Sequence, residues 1–138
     1  MTKTGRAWAL LFMGLVLGAA ASFAEPKTPA AQGAIKSASY IVRLSSAPTQ
    51  PVRGLDILEA YVTDASGRPV EGAQVSFDLN MTNMNHGKNV VTAAAQGGGR
   101  YSGRVRFMMP GPWRVIVRVA EPGRPPEDLR FEFNVNLF

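Results

Sequence analysis

The stretch Trp113–Val119, WRVIVRV, decides the fold. Trp113, Val115, Val117 and Val119 share one parity, and Arg114, Ile116 and Arg118 share the other. In a strand, successive side chains point to opposite faces, so this run buries one row and presents its arginines to solvent. At helical spacing the same residues would scatter the apolar row around the axis. Downstream, Leu129, Phe131, Phe133, Val135 and Leu137 alternate with Arg130, Glu132, Asn134 and Asn136. The turn-forming segment Pro122–Pro126 separates the two runs, and Pro110–Gly111–Pro112 precedes the first.

Upstream, the same grammar repeats. Tyr101, Gly103, Val105 and Phe107 form one inward row, and Val75, Phe77 and Leu79 form another. Tyr40, Val42 and Leu44 open the series, followed by Leu55–Thr63. Asn89–Ala95 is a weaker run of the same kind, and without it six strands would remain. Asp64–Pro69 is a turn, with Gly67 supplying a positive φ and Pro69 a fixed one. No segment beyond the first 24 residues has helical periodicity. Seven runs separated by turn signals predict an all-β fold, an immunoglobulin-like antiparallel β-sandwich of about seven strands.

The chain has 138 residues, enough for one domain. Residues 1–24 read as a signal peptide. Lys3 and Arg6 precede an apolar run from Ala7 to Ala21, and Ser22 and Ala24 are small residues suited to cleavage before Glu25. The alternative is an uncleaved anchor at residues 7–21, although that run falls short of the ~20 residues a spanning helix needs. Residues 25–37, EPKTPAAQGAIKS, are rich in Pro, Ala and polar groups and read as a flexible tether. The β-sandwich domain then covers residues 38–138. The chain is therefore expected in the periplasm or secreted, or anchored to the inner membrane. Export argues against nucleic acid as a partner for its modest positive charge. With no cysteine, neither a disulfide nor a thiolate metal site is available.

Chemistry concentrates in MTNMNHGKNV, Met81–Val90, which holds two methionines and the chain's single histidine. Met108–Met109 form a second methionine pair before Trp113. By parity, Met81 continues the row of Val75, Phe77 and Leu79, and Met109 continues that of Val105 and Phe107. Both therefore read as flexible fillers at the end of the core as well as candidate ligands. Met84, His86 and Met108 have no packing reason to be where they are. Thioether and imidazole donors suit the soft ion Cu(I). Zinc calls for His, Cys or carboxylate ligands, and only one His is present. Met84, His86 and Met108 are the candidate metal ligands, with Met81 and Met109 as further ones.

The segments FDLNMTNMNHGKN and GGGRYSGRVRFMMPGPWRVIVRV resemble the YtkA-like domain family, related to the FixH-type proteins. The matching positions are Met81, Met84, His86, Gly99, Tyr101, Gly111 and Trp113. DASGRPVEGAQVSFDL is also similar, and the resemblance runs from about Leu55 to Val119. It implies an exported or membrane-tethered β-sandwich associated with copper handling and haem–copper oxidase assembly. FixH-type members carry an N-terminal anchor, so the resemblance keeps the anchored alternative for residues 7–21 open. Tyr101 and Trp113 read as core and corner residues. In the functional version, Trp113 shields a nearby copper from water.

Enzyme chemistry finds no support. There is no G-x-S-x-G elbow, no second histidine and no phosphate-binding Lys-Ser or Lys-Thr after Gly97–Gly99. Two readings remain. One is an exported copper-binding accessory or carrier that passes Cu(I) to a protein partner, whether an oxidase, an efflux component or an assembly factor. The other is a non-catalytic interaction module without metal. It would dock through the methionine-rich loops, helped by Arg104, Arg106, Arg114 and Arg118.

Overall fold

The computed structural model describes residues 32–138. The expected signal segment and the first part of the expected tether lie outside the described residues. Eight strands follow one another: β1 Gln32–Lys36, β2 Tyr40–Ala47, β3 Gly54–Asp64, β4 Gln74–Met81, β5 Val90–Gly97, β6 Arg100–Phe107, β7 Gly111–Ala120 and β8 Glu127–Val135. All neighbouring pairs are antiparallel, in the order β1-β2-β3-β6-β5-β4-β7-β8.

β5 joins the two halves of the sandwich. Val90–Ala93 pair with β4, opposite Asp78 to Val75, whereas Ala94–Gly97 pair with β6, opposite Ser102 to Arg100. One strand thus changes sheet midway, the way corners are made when a sandwich curls toward a barrel. At the far side β1 and β8 approach each other. Beside them, the Ser39 amide of the β1–β2 loop donates to Glu127 Oε1 of β8 at 3.1 Å, and the Tyr40 hydroxyl of β2 donates to Glu121 Oε1, just past β7, at 2.6 Å. The result is a nearly closed, barrel-like sandwich.

The expected inward rows fill its interior. Val42, Leu58, Val62, Phe77, Leu79, Phe107, Trp113, Val115, Val117 and Val119 are fully buried. Gly103 holds an inward position where a Cβ would approach Val91 Cγ1 tightly, at 3.2 Å, with the Phe77 ring in ordinary contact at 3.5 Å. Tyr101 spans to the turn before β4. Its hydroxyl donates to the Val70 carbonyl at 2.8 Å and accepts from the Ala73 amide at 3.3 Å. The Asp64–Pro69 turn forms as expected, with Asp64 Oδ1 accepting from the Ser66 and Arg68 amides and Gly67 at φ 87°.

Three details depart from the seven-run reading. The strand count is eight, because Gln32–Lys36, at the end of the expected tether, pairs with β2 and packs Ile35 against the core. An isolated five-residue strand holding a single large aliphatic gives too weak an alternation to stand out from a Pro/Ala-rich segment. Asn89–Ala95 is a true strand in substance, β5, displaced by a residue or two. Leu137, expected in the last inward row, lies past the end of β8 and is half exposed. There the chain bends to form the Val52–Asn136 bridge, and the alternation no longer reports direction.

Candidate metal centre

The end of the sandwich where β4 stops and β7 starts is organised around Trp113. Met81 lies directly opposite Trp113 in the β4–β7 register. Its side chain turns inward as parity demands and is 6% exposed. Its Cε sits 2.9 Å from where a Cβ on Gly111 would stand, and Gly111 has φ 130°. The positive φ calls for glycine there, whereas the flexible end of Met81 could shift to admit a Cβ. Trp113 is fully buried. Its Nε1 donates to the Met109 carbonyl at 2.8 Å, and its indole meets Phe107 edge-on with centroids 5.2 Å apart.

The β4–β5 loop is held by Asn80. Its Oδ1 accepts from the Met81 amide at 3.1 Å and from the His86 amide at 2.9 Å. Its Nδ2 donates to Asn85 Oδ1 at 3.1 Å and to the Gly87 carbonyl at 3.2 Å. Asn85 Oδ1 in turn accepts from the Gly87 amide, and Gly87 has φ 79°. The Thr82 amide donates to the Pro112 carbonyl at 3.1 Å, tying the loop to β7. One amide side chain therefore replaces the ladder bonds the backbone loses on leaving the sheet.

This arrangement folds the His86 ring back onto the domain. It stacks on Trp113 with centroids 5.6 Å apart and planes 7° apart. Its Nε2 is buried and has no hydrogen-bond partner. A buried polar atom without a partner is costly and rare. In a neutral imidazole, one ring nitrogen carries a free lone pair that can take a hydrogen bond or a metal.

The five sequence candidates are thus gathered at one end of the fold, in unequal settings. Met81 is the core filler that its parity implied. Met109 is not: β6 ends at Phe107, the chain turns through Pro110–Gly111, and the Met109 side chain is 42% exposed. Only its carbonyl is engaged, by Trp113. Met84 and Met108 are exposed, as loop residues should be. His86 was expected in a solvated loop, yet its ring is partly buried. Trp113 is the core residue its position suggested and the platform for the imidazole as well. Asn80 was missed by the sequence reading. The signal was the asparagine density of NMTNMNHGKN, since such side chains build loops through local backbone bonds.

Among the described residues, no group of three or more His, Cys, Asp or Glu side chains is placed to hold a metal. A metal at this end would have to use one imidazole nitrogen and thioether sulfurs, a soft donor set that fits Cu(I) better than zinc or a hard cation. The four arginines named with the interaction reading do not share one face. Arg104 and Arg106 lie on the outer face of β6, whereas Arg114 and Arg118 lie on that of β7, where Arg118 pairs with Asp128 at 3.8 Å. Deeper at the same end, Asp56 is 1% exposed. Its Oδ2 accepts from the Val52 amide at 2.9 Å and its Oδ1 has no partner. Burial pushes this carboxyl above its usual range, against the opposing effect of the Val52 bond.

The YtkA-like family profile matches residues 35–118. The chain belongs to the YtkA-like family. The match begins in β1 and ends in β7, so it takes in the Asn80 loop, both methionine segments and Trp113, and leaves out β8. Among solved structures, this YtkA-like chain resembles FetP of uropathogenic Escherichia coli strain F11, expressed recombinantly in the E. coli periplasm. Identity is 16% and TM-score 0.58, covering 77% of this chain and 94% of that one. It also resembles a DUF4426 family protein of Pseudomonas aeruginosa PAO1 at 11% identity and TM-score 0.53, over 76% and 97% of the two chains. A third likeness is to the PmoD soluble domain of a Methylocystis species, at 13% identity and TM-score 0.52, over 75% and 96%. Identities this low show a shared fold. The comparison with curated proteins finds no match.

Proposed function

We propose that this YtkA-like chain is an exported, non-catalytic copper-binding accessory or carrier. Its cargo would be Cu(I), held by Met84, His86 and Met108, with Met81 and Met109 as further ligands. One observation carries the reading: the buried, unpartnered Nε2 of His86, fixed on Trp113 beside two methionine-bearing segments. Asn80 and Trp113 would hold the imidazole in place, so little ordering is left to be done on binding. Exposed thioethers suit a carrier, because they can be exchanged one at a time for a partner's ligands. That partner would be an oxidase, efflux or assembly component. Residues 1–24 and the periplasmic expression of FetP support an extracytoplasmic location. Met84, Met108 and Met109 also favour a second reading, in which they form adaptable contact surface for a protein without any metal.

A Cu(I) competition titration against a chelator of known affinity separates the two. The copper reading expects a one-to-one complex, weakened at least tenfold by His86→Ala and by Met84→Leu. No competition by the wild type would replace it with the metal-free reading, and equal binding by wild type and both variants would remove His86 and Met84 from the ligand set and leave the loop as packing or docking surface.

A further inference from the structure

The two outer faces of the sandwich differ in charge. On β4, β7 and β8 the outward residues include Asp78, Asp128 and Glu132 against Arg114, Arg118 and Arg130. Arg118–Asp128 and Arg130–Glu132 are ion pairs, so this face is balanced. On β2, β3 and β6 the outward charges are Arg43, Arg100, Arg104 and Arg106, with Glu59 as the one acid. All four arginines are exposed, and among the described residues none of them forms a salt bridge. The same face presents Leu55 at 63% and Ile57 at 45% exposure. The register interleaves the two kinds of side chain: Leu55 faces Arg106, Ile57 faces Arg104, and Tyr61 lies between Arg43 and Arg100.

We infer that the outer face of β2, β3 and β6 is a docking surface for an acidic protein. Aliphatic residues in mid-strand on a solvent face are unfavourable for an isolated domain, and cations set among them without counter-ions repel one another. Both costs vanish against a surface that carries carboxylates and apolar groups. Every basic residue in this set is Arg, whose planar fork engages a carboxylate through two parallel hydrogen bonds; lysine cannot do this. Arg and Tyr around a small apolar centre is also the composition of interface hot spots. A bilayer fits less well. Among the described residues, Leu55 and Ile57 are the only large aliphatics strongly exposed on this face, too little apolar area to anchor it among acyl chains. Arg106 lies two residues before the exposed Met108, with only the inward-facing Phe107 between them, so a protein docked on this face would lie beside the methionine loops. The surface stands independently of copper, and its test uses none.

The experiment places the photo-crosslinking residue benzoylphenylalanine at Ile57, or at Ile116 on the balanced face, in the full chain expressed in its native host. Cross-linked segments are then identified by mass spectrometry. The expected result is one dominant protein captured from Ile57 and not from Ile116, through a segment rich in Asp and Glu. Capture is lost in Arg104→Glu/Arg106→Glu and reduced in the milder Arg104→Gln/Arg106→Gln, both with unchanged melting temperature. Affinity for the purified partner falls at least tenfold in the charge-reversed protein. No capture from Ile57, equal capture from Ile116, or a captured segment without carboxylates would overturn the proposal. So would binding to phosphatidylglycerol vesicles that the Glu pair abolishes, since the face would then be a membrane surface.

Discussion

The imidazole of His86 lies parallel to the indole of Trp113, 5.6 Å away and tilted by 7°, with its Nε2 buried and unpartnered. The pair joins the exposed methionine loops to the hydrophobic core, because Trp113 also meets Phe107 edge-on, and Phe107 meets Phe133 in the same way. Anything that binds at His86 is therefore felt by a fully buried tryptophan.

Trp113 is the single tryptophan once residues 1–24 are removed, so its fluorescence isolates this relationship. His86→Ala uncovers one face of the indole. Its emission should move to longer wavelength, and stability should fall by about 1 kcal/mol, the scale of an aromatic pair. If Cu(I) binds as proposed, titration should change the wild-type emission with a one-to-one endpoint and leave that of His86→Ala nearly constant.

Asn80 sets the conformation that presents His86. Asn80→Ala strips acceptors from two amides and a donor pair from the loop, which should cost about 1–3 kcal/mol. Asn80→Asp keeps the Oδ1 acceptor for the Met81 and His86 amides but loses the bonds to Asn85 and Gly87. It should fall between wild type and Asn80→Ala. Hydrogen exchange of residues 82–89 is the direct measure, with faster exchange in the order Ala, Asp, wild type. A uniform change across the whole domain would instead mean that Asn80 matters only for global stability.

How far the sequence reached follows from these residues. The strands with strict alternation, around Val115 and Phe131, declared both their type and their buried row, because period two is visible wherever one face is apolar and the other charged. Met81 could be assigned inward by counting along the same row. Met109 could not: parity holds only while the ladder continues, and β6 stops two residues earlier. β1 was hidden for the opposite reason, since its pairing rests on backbone bonds that leave almost no pattern in five residues. The methionines and the histidine were legible as a constellation. The fold-back of His86 onto Trp113 was not, because it depends on side-chain-to-backbone bonds from Asn80 across six positions.

Asp56 gives the domain a stability that depends on pH. Burial raises its folded-state value above that of the unfolded chain, so the ionised carboxylate works against folding. Its contribution is intact below the unfolded value, near pH 4, and is lost as pH rises through the higher folded value. Asp56→Asn keeps an acceptor for the Val52 amide and removes the charge. Its melting temperature relative to wild type should therefore increase as pH rises from about 4 toward the higher folded-state value, and change little below that range. Thermal unfolding at a series of pH values checks this. A constant difference between the two proteins would show that folding leaves the Asp56 pKa where it stands in the unfolded chain.

Met81 and Met109 separate packing from binding at the same end of the fold. Met81 is 6% exposed and packs against Gly111, so Met81→Ala should cost about 2–5 kcal/mol through the lost contacts and the cavity left behind. Met109 is 42% exposed and is held through its carbonyl, which any residue supplies. Met109→Ala should therefore stay within about 0.5 kcal/mol of wild type, as should Met84→Ala and Met108→Ala, whose side chains are also exposed. Copper affinity measured on these three variants then reports sulfur ligation alone, since their folds are unperturbed. A tenfold loss in Met84→Ala or Met108→Ala at unchanged stability would identify a ligand. Unchanged affinity in all three would leave His86 and Met81 as the donors and put the metal in the partly buried space beside Trp113. A large loss of stability in Met109→Ala would instead mean that its side chain packs in solution, as its parity first implied.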